Sequence, residues 1–156
     1  MVSNLKNLNR LEIGSDCFKY VDNFELYGLN NLSSVKIGTN SFTETPEYYW
    51  SSDRANNNNK MFYILNCAKL RSINIDRYSF SDYKGRFELR NLDSLRSISI
   101  GTVGSNSRNF YWCSFVVQSK NTGMTFEAID LPNLKSITLG DMAFCMCRCV
   151  YIECNL

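Results

Sequence analysis

The sequence predicts a mainly β solenoid, in which short strands stack as a parallel sheet around an apolar inner column. Three observations lead there. One motif recurs five times along the chain. Each copy ends in apolar and polar residues alternating with period two, the spacing of a half-buried strand. No stretch sustains the 3.6-residue apolar period of a helix, so few or no long helices are expected.

The repeat begins at Leu5-Lys-Asn-Leu8-Asn-Arg-Leu11-Glu-Ile13-Gly14. It returns as Leu29-Asn-Asn-Leu32-Ser-Ser-Val35-Lys-Ile37-Gly38 and as Cys67-Ala-Lys-Leu70-Arg-Ser-Ile73-Asn-Ile75-Asp76. The fourth copy is Leu92-Asp-Ser-Leu95-Arg-Ser-Ile98-Ser-Ile100-Gly101, and the fifth is Leu131-Pro-Asn-Leu134-Lys-Ser-Ile137-Thr-Leu139-Gly140. A single unit cannot bury its apolar face, so neighbouring units must stack. The predicted inner ladders are Leu11/Val35/Ile73/Ile98/Ile137 and Ile13/Ile37/Ile75/Ile100/Leu139. β-Branched residues dominate both, as a sheet favours.

A second short extended piece precedes each new copy. It reads Phe24-Glu-Leu26-Tyr-Gly28, Phe62-Tyr-Ile64-Leu-Asn66, Phe87-Glu-Leu89-Arg-Asn91 and Phe126-Glu-Ala128-Ile-Asp130. A further Phe follows the Ile-Gly turn at Phe18, Phe42, Phe80 and Phe144. Unit lengths alternate: starts at Leu5, Leu29, Cys67, Leu92, Leu131 and Leu156 are about 24, 38, 25, 39 and 25 residues apart. Long units are expected to carry insertions over residues 39–61 and 102–125.

Composition bounds the function. The chain has 156 residues, 44% hydrophobic and 21% charged, which fits one globular domain over 1–156 with a real core. A net charge of +2 is too small to announce a nucleic-acid partner. No apolar run reaches the length of a membrane span. With no histidine, Ser-His-Asp catalysis, Cys-His catalysis and His-liganded metal sites are excluded within this chain. No motif places a nucleophile beside a base, and none calls for a cofactor.

The Leu-x-x-Leu-x-Ser-Ile-x-Ile-Gly unit, followed by a small residue or Cys and then Phe, resembles the leucine-rich repeat superfamily, most of all its BspA-like branch. The resemblance spans nearly the whole chain. Gly or Asp stands where the commonest repeat type has Asn, and the long insertions exceed a normal repeat. The resemblance implies a right-handed, leucine-rich-repeat-like superhelix and a non-enzymatic recognition role for a protein or glycan at a cell surface. Seven cysteines without a signal peptide point instead toward a reducing, cytoplasmic compartment.

Candidate contact residues fall in three groups. The strand face turned from the core would show Arg10, Ser34, Ser72, Ser97 and Ser136 in one column, and Glu12, Lys36, Asn74, Ser99 and Thr138 in the next. Serines there solvate a sheet face, whereas the stripe Arg71, Arg96 and Lys135, with Lys36 nearby, reads first as a plain solvated edge and second as a surface for an acidic partner. Tyr48, Tyr49 and Trp50 match Phe110, Tyr111 and Trp112 one long-plus-short pair later. On loops they would be binding anchors; folded back, they would be packing wedges. Glu25, Glu88 and Glu127 form a third set, solvated or paired with Arg86 and Arg90 rather than holding calcium.

Cys145, Cys147, Cys149 and Cys154 lack the two Cys-x2-Cys pairs of a zinc site, and they serve equally as apolar fillers. Two further roles stand beside recognition: a structural spacer in a larger surface protein, and metal binding through these thiols. Neither end of the array shows a polar cap. The chain is therefore expected to be a segment of a longer array, or to associate end to end through its open edges.

Overall fold

The computed structural model describes residues 4–44, 60–111, 125–145, 147 and 149–153. Among these the fold is all β, with ten strands and no helix. In chain order they are β1 (Arg10–Ile13), β2 (Asn23–Tyr27), β3 (Ser34–Ile37), β4 (Met61–Leu65), β5 (Ser72–Ile75), β6 (Phe87–Arg90), β7 (Ser97–Ile100), β8 (Thr125–Ile129), β9 (Ser136–Leu139) and β10 (Cys149–Glu153). They form two five-stranded parallel sheets, ordered β1-β3-β5-β7-β9 and β10-β8-β6-β4-β2. Each unit therefore adds one strand to the first sheet and one to the second.

The register in the first sheet follows the repeat. Leu11 lies beside Val35, then Ile73, Ile98 and Ile137; Ile13 lies beside Ile37, Ile75, Ile100 and Leu139. In the second sheet Phe24, Phe62, Phe87 and Phe126 share one row. The inward residues of the three middle units are fully buried, and Leu26, Ile64, Leu89 and Ala128 close the core from the second sheet.

Two phenylalanine stacks join the sheets. Phe18, Phe42, Phe80, Phe110 and Phe144 stack face to face, with successive ring centroids 5.1, 4.7, 5.2 and 4.9 Å apart. Phe24, Phe62 and Phe87 form the second stack at 4.9 and 4.7 Å. Rings of the two stacks meet edge-on, as Phe62 does with Phe80 at 5.1 Å. Offset-stacked and edge-to-face pairs are each worth about 0.5–1.5 kcal/mol beyond their buried area.

The turns that deliver these rings use left-handed backbone. Phe18, Phe42, Phe80, Phe110 and Phe144 all have φ between 51° and 57°. This region costs an L-residue roughly 1–2 kcal/mol, a cost that burial of the ring offsets at Phe42, Phe80, Phe110 and Phe144. The corner after each of β2, β4, β6 and β8 is also left-handed, at Gly28, Asn66, Asn91 and Asp130. Gly, Asn and Asp are the residues that tolerate it best.

The insertions are placed differently from the expectation over residues 39–61 and 102–125. Thr39 to Phe42 belong to the regular turn, because Phe42 takes the same stacked place as Phe18. In the fourth unit extra residues come earlier, over 102–106, and the regular turn is Ser107 to Phe110. Ser107 and Phe110 are both fully buried there. Met61 and Thr125 are strand residues.

A buried polar ladder runs along the turns. Ser41 Oγ accepts from the Cys17 amide at 3.2 Å and donates to the Gly14 carbonyl at 2.8 Å. Ser79 Oγ accepts from the Ser41 amide at 3.0 Å and donates to the Gly38 carbonyl. Asn109 donates to the carbonyls of Asp76 and Ser79 at 2.7 and 3.0 Å. All three side chains are buried, so these bonds answer backbone groups that no strand pairs.

Candidate functional site

The outward face of the first sheet carries the two polar columns in the expected register. Arg10, Ser34, Ser72, Ser97 and Ser136 align, as do Glu12, Lys36, Asn74, Ser99 and Thr138. The serines stand one per strand, at the roughly 4.8 Å spacing of a sheet. Arg10 pairs with Glu12 at the open edge.

The stripe beside these columns is held by backbone. The Ser33 amide donates to the Asn9 carbonyl at 2.7 Å; Arg71 donates to Ser33, Arg96 to Arg71 and Lys135 to Arg96, each at 2.9 Å. Arg71, Arg96 and Lys135 therefore stand in one row on three consecutive units. All three are exposed, and none makes an ion pair among the described residues. Like charges at this spacing repel by about 1 kcal/mol per neighbouring pair in water. Lys36 is exposed in the adjacent column.

The aromatic triplets divide. Tyr48, Tyr49, Trp50 and Trp112 lie outside the described residues. Phe110 is not a surface anchor: it is fully buried, fourth ring of the first stack. The extra residues after Gly101 shift this Phe away from its usual spacing and disguise it in the sequence. Tyr111 is half-buried, with the Arg108 guanidinium 5.8 Å from its ring centre.

On the second sheet Glu25, Tyr63, Glu88, Glu127 and Tyr151 share a row. Glu88 bonds Arg86 at 3.1 Å and Arg90 at 2.7 Å, and Glu127 bonds Arg86. Two carboxylates and two guanidinium groups thus answer one another. The Glu127 hydrogen bond holds Arg86 above its ordinary value, against the opposing effect of burial. Burial raises the Tyr63 hydroxyl, with Arg86 opposing.

A third charged group has no sequence signature. The Lys60 ammonium is almost wholly buried, 2.8 Å from Glu44, 3.0 Å from Asp82 and 3.7 Å from Asp22. Burial pulls its pKa down, but the hydrogen bonds and charges of Glu44 and Asp82 outweigh burial and leave it raised. Lys84, also buried, is lowered by burial, which the Asp82 charge only partly offsets. Lys60 ties Glu44, on the near side of the second unit's insertion, to Asp82, and the Tyr83 hydroxyl donates to the Val21 carbonyl at 2.9 Å.

Comparison of the chain with family models, with curated proteins and with solved structures found no match. The site must be read from its own geometry. Cys145 is exposed and Cys147 half-buried; the Cys149 side chain and Cys154 lie outside the described residues. Among the described residues no group of three or more Cys, Asp or Glu side chains converges as a metal set.

Proposed function

We propose that this chain is a non-enzymatic recognition module, a leucine-rich-repeat-like solenoid that holds an acidic protein segment on the outer face of its first sheet. The observation that carries this reading is the cation row Arg71, Arg96 and Lys135, which has no ion-pair partner among the described residues. The backbone ladder presets its spacing, so binding a partner's carboxylates orders little that is not already ordered. Arginine favours bidentate carboxylate contacts, and the neighbouring Ser72, Ser97 and Ser136 hydroxyls add donors beside each cation. Lys36 extends the positive field across the face. On the second sheet Glu88 and Glu127 are matched by Arg86 and Arg90, whereas the cation row beside the first sheet has no ion-pair partner among the described residues.

The test is fluorescence anisotropy with a labelled oligoglutamate peptide. Binding should weaken steeply with added salt, since the contacts lie at the surface. The triple variant Arg71→Ala, Arg96→Ala, Lys135→Ala should lose it while keeping the far-ultraviolet spectrum of the parent. Equal binding by parent and triple variant overturns the reading and favours a spacer role. Binding of a sulfated oligosaccharide but not of the peptide moves the ligand class to glycans.

A further inference from the structure

We infer that the acidic segment held by the first sheet is an α-helix lying along the cation row, across the strands, with acids at its positions i, i+3 and i+7. This deepens the function proposed above and rests on it. The pitch of the row, the backbone of the face and the width of the face each point to a helix.

The row has a fixed pitch. The Arg96 amide donates to the Arg71 carbonyl and the Lys135 amide to the Arg96 carbonyl, each at 2.9 Å. Backbone paired in this way stands about 4.8 Å apart, so the three cations spring from about 0, 4.8 and 9.6 Å along one line. A helix rises about 1.5 Å per residue, which puts i, i+3 and i+7 at about 0, 4.5 and 10.5 Å, within a sector of about 60°. Each acid then meets its cation within about 1 Å. Along an extended strand, residues on one side recur roughly every 6.7 Å, and the third acid overshoots Lys135 by about 4 Å. A polyproline II segment repeats at about 9.3 Å, so it reaches Arg71 and Lys135 and skips Arg96. Long side chains can bend to absorb a mismatch, but fixing them in bent rotamers costs entropy, so register is read out as affinity.

The face offers a partner no backbone. β5 and β7 are each hydrogen-bonded to a strand on both sides, so their N–H and C=O groups are used within the sheet. Beside the row stand only the side chains of Ser72, Asn74, Ser97, Ser99, Ser136 and Thr138. An extended partner lying on a sheet face leaves its own backbone groups without a ladder, unlike a strand added at an edge. A helix arrives with those groups already paired.

The face is also one helix wide. β5, β7 and β9 are four residues long, about 13 Å, and a helix with its side chains is about 10–12 Å across. None of the six outward side chains is longer than Asn. A helix therefore settles on a low shelf with Arg71, Arg96 and Lys135 along its rim. All three are exposed, with no ion pair among the described residues.

The experiment is competition against the labelled oligoglutamate peptide on the full chain, read by anisotropy. Three unlabelled peptides, each with three Glu, are compared. The first is a hydrocarbon-stapled helix with Glu at i, i+3 and i+7. The second is the same helix with Glu at i, i+2 and i+5, which scatters the acids around it. The third is a polyproline peptide with Glu at every third position. The first should compete about fivefold better than the second, since two of its three surface ion pairs depend on the register. Arg96→Ala should remove most of that advantage. Replacing the middle Glu of the first peptide by Gln should weaken binding to the parent but not to Arg96→Ala. Equal competition by the two helices overturns the helix and leaves the acidic-partner reading standing. So does a polyproline peptide that competes better than the first helix, or a Gln replacement that weakens parent and Arg96→Ala alike. Oligoglutamate that binds the triple variant as tightly as the parent overturns both readings.

Discussion

Phe80 sits where both phenylalanine stacks meet, and truncating it measures what they contribute. Its ring stacks on Phe42 at 4.7 Å and Phe110 at 5.2 Å, and meets Phe24, Phe62 and Tyr83 edge-on at 5.6, 5.1 and 4.9 Å. Phe→Ala in a core costs about 3–5 kcal/mol, and the five ring contacts put Phe80→Ala at the upper end, about 5 kcal/mol. That is a large share of the roughly 5–15 kcal/mol that holds a typical domain. The backbone supplies a second, sharper expectation. Phe80 has a φ of 57°. Alanine inherits that strain and glycine does not, which favours glycine by about 1–2 kcal/mol, less about 0.8 kcal/mol for the lost methyl. Phe80→Gly should therefore be at least as stable as Phe80→Ala, the reverse of the order inside a strand. Urea unfolding followed by circular dichroism reads both numbers. A loss below about 1 kcal/mol for Phe80→Ala would show that the ring is not central to the core. A glycine variant clearly weaker than the alanine one would show that the turn is not left-handed.

Two other perturbations probe the buried polar groups. Ser79→Ala removes the acceptor of the Ser41 amide and leaves that group buried and unpaired, which should cost about 1–3 kcal/mol in the same urea assay. Lys60→Met strands Glu44 and Asp82 around a vacated charge and should cost about 3–5 kcal/mol near neutral pH. Lys60 is raised above 10.5 in the folded chain, so its contribution is complete below 10.5 and is lost as pH rises through the higher folded value. The difference in Tm between parent and Lys60→Met should accordingly be constant near neutrality and shrink only at strongly alkaline pH; a gap that shrinks below pH 9 (about one unit under the ordinary lysine value) would contradict the buried ion pairing.

The exposed cation row also has a stability side. Arg71, Arg96 and Lys135 repel one another across adjacent strands, and nothing among the described residues neutralises them. Such a row carries a small standing cost. The second sheet shows the opposite arrangement. There Glu88 and Glu127 sit between Arg86 and Arg90 and need no outside charge. On this contrast in pairing between the two faces the proposed recognition role rests.

The strand register was readable from the residues alone, because period-two alternation admits only one inward set and equal spacing from Leu-x-x-Leu to the strand aligns that set from unit to unit. The ladders from Leu11 to Ile137 and from Ile13 to Leu139, the polar columns over them and the cation row all follow from that rule. Position in the stack was decided only by the tertiary structure. Phe110 joined the core because the turn could absorb residues 102–106 and still present a ring to the space between Phe80 and Phe144. Lys60 was buried because Glu44 and Asp82, 16 and 22 residues away along the chain, converge on it. Arg86 and Arg90 flank Glu88 at two-residue spacing, a pairing the sequence already suggested; Glu127 joins them only because strands β6 and β8 are neighbours in space although an insertion separates them in sequence. Local periodicity determines which way a side chain points and pairs charges two residues apart on one strand face; which charges meet between units depends on how the units stack, and no spacing within one repeat encodes that.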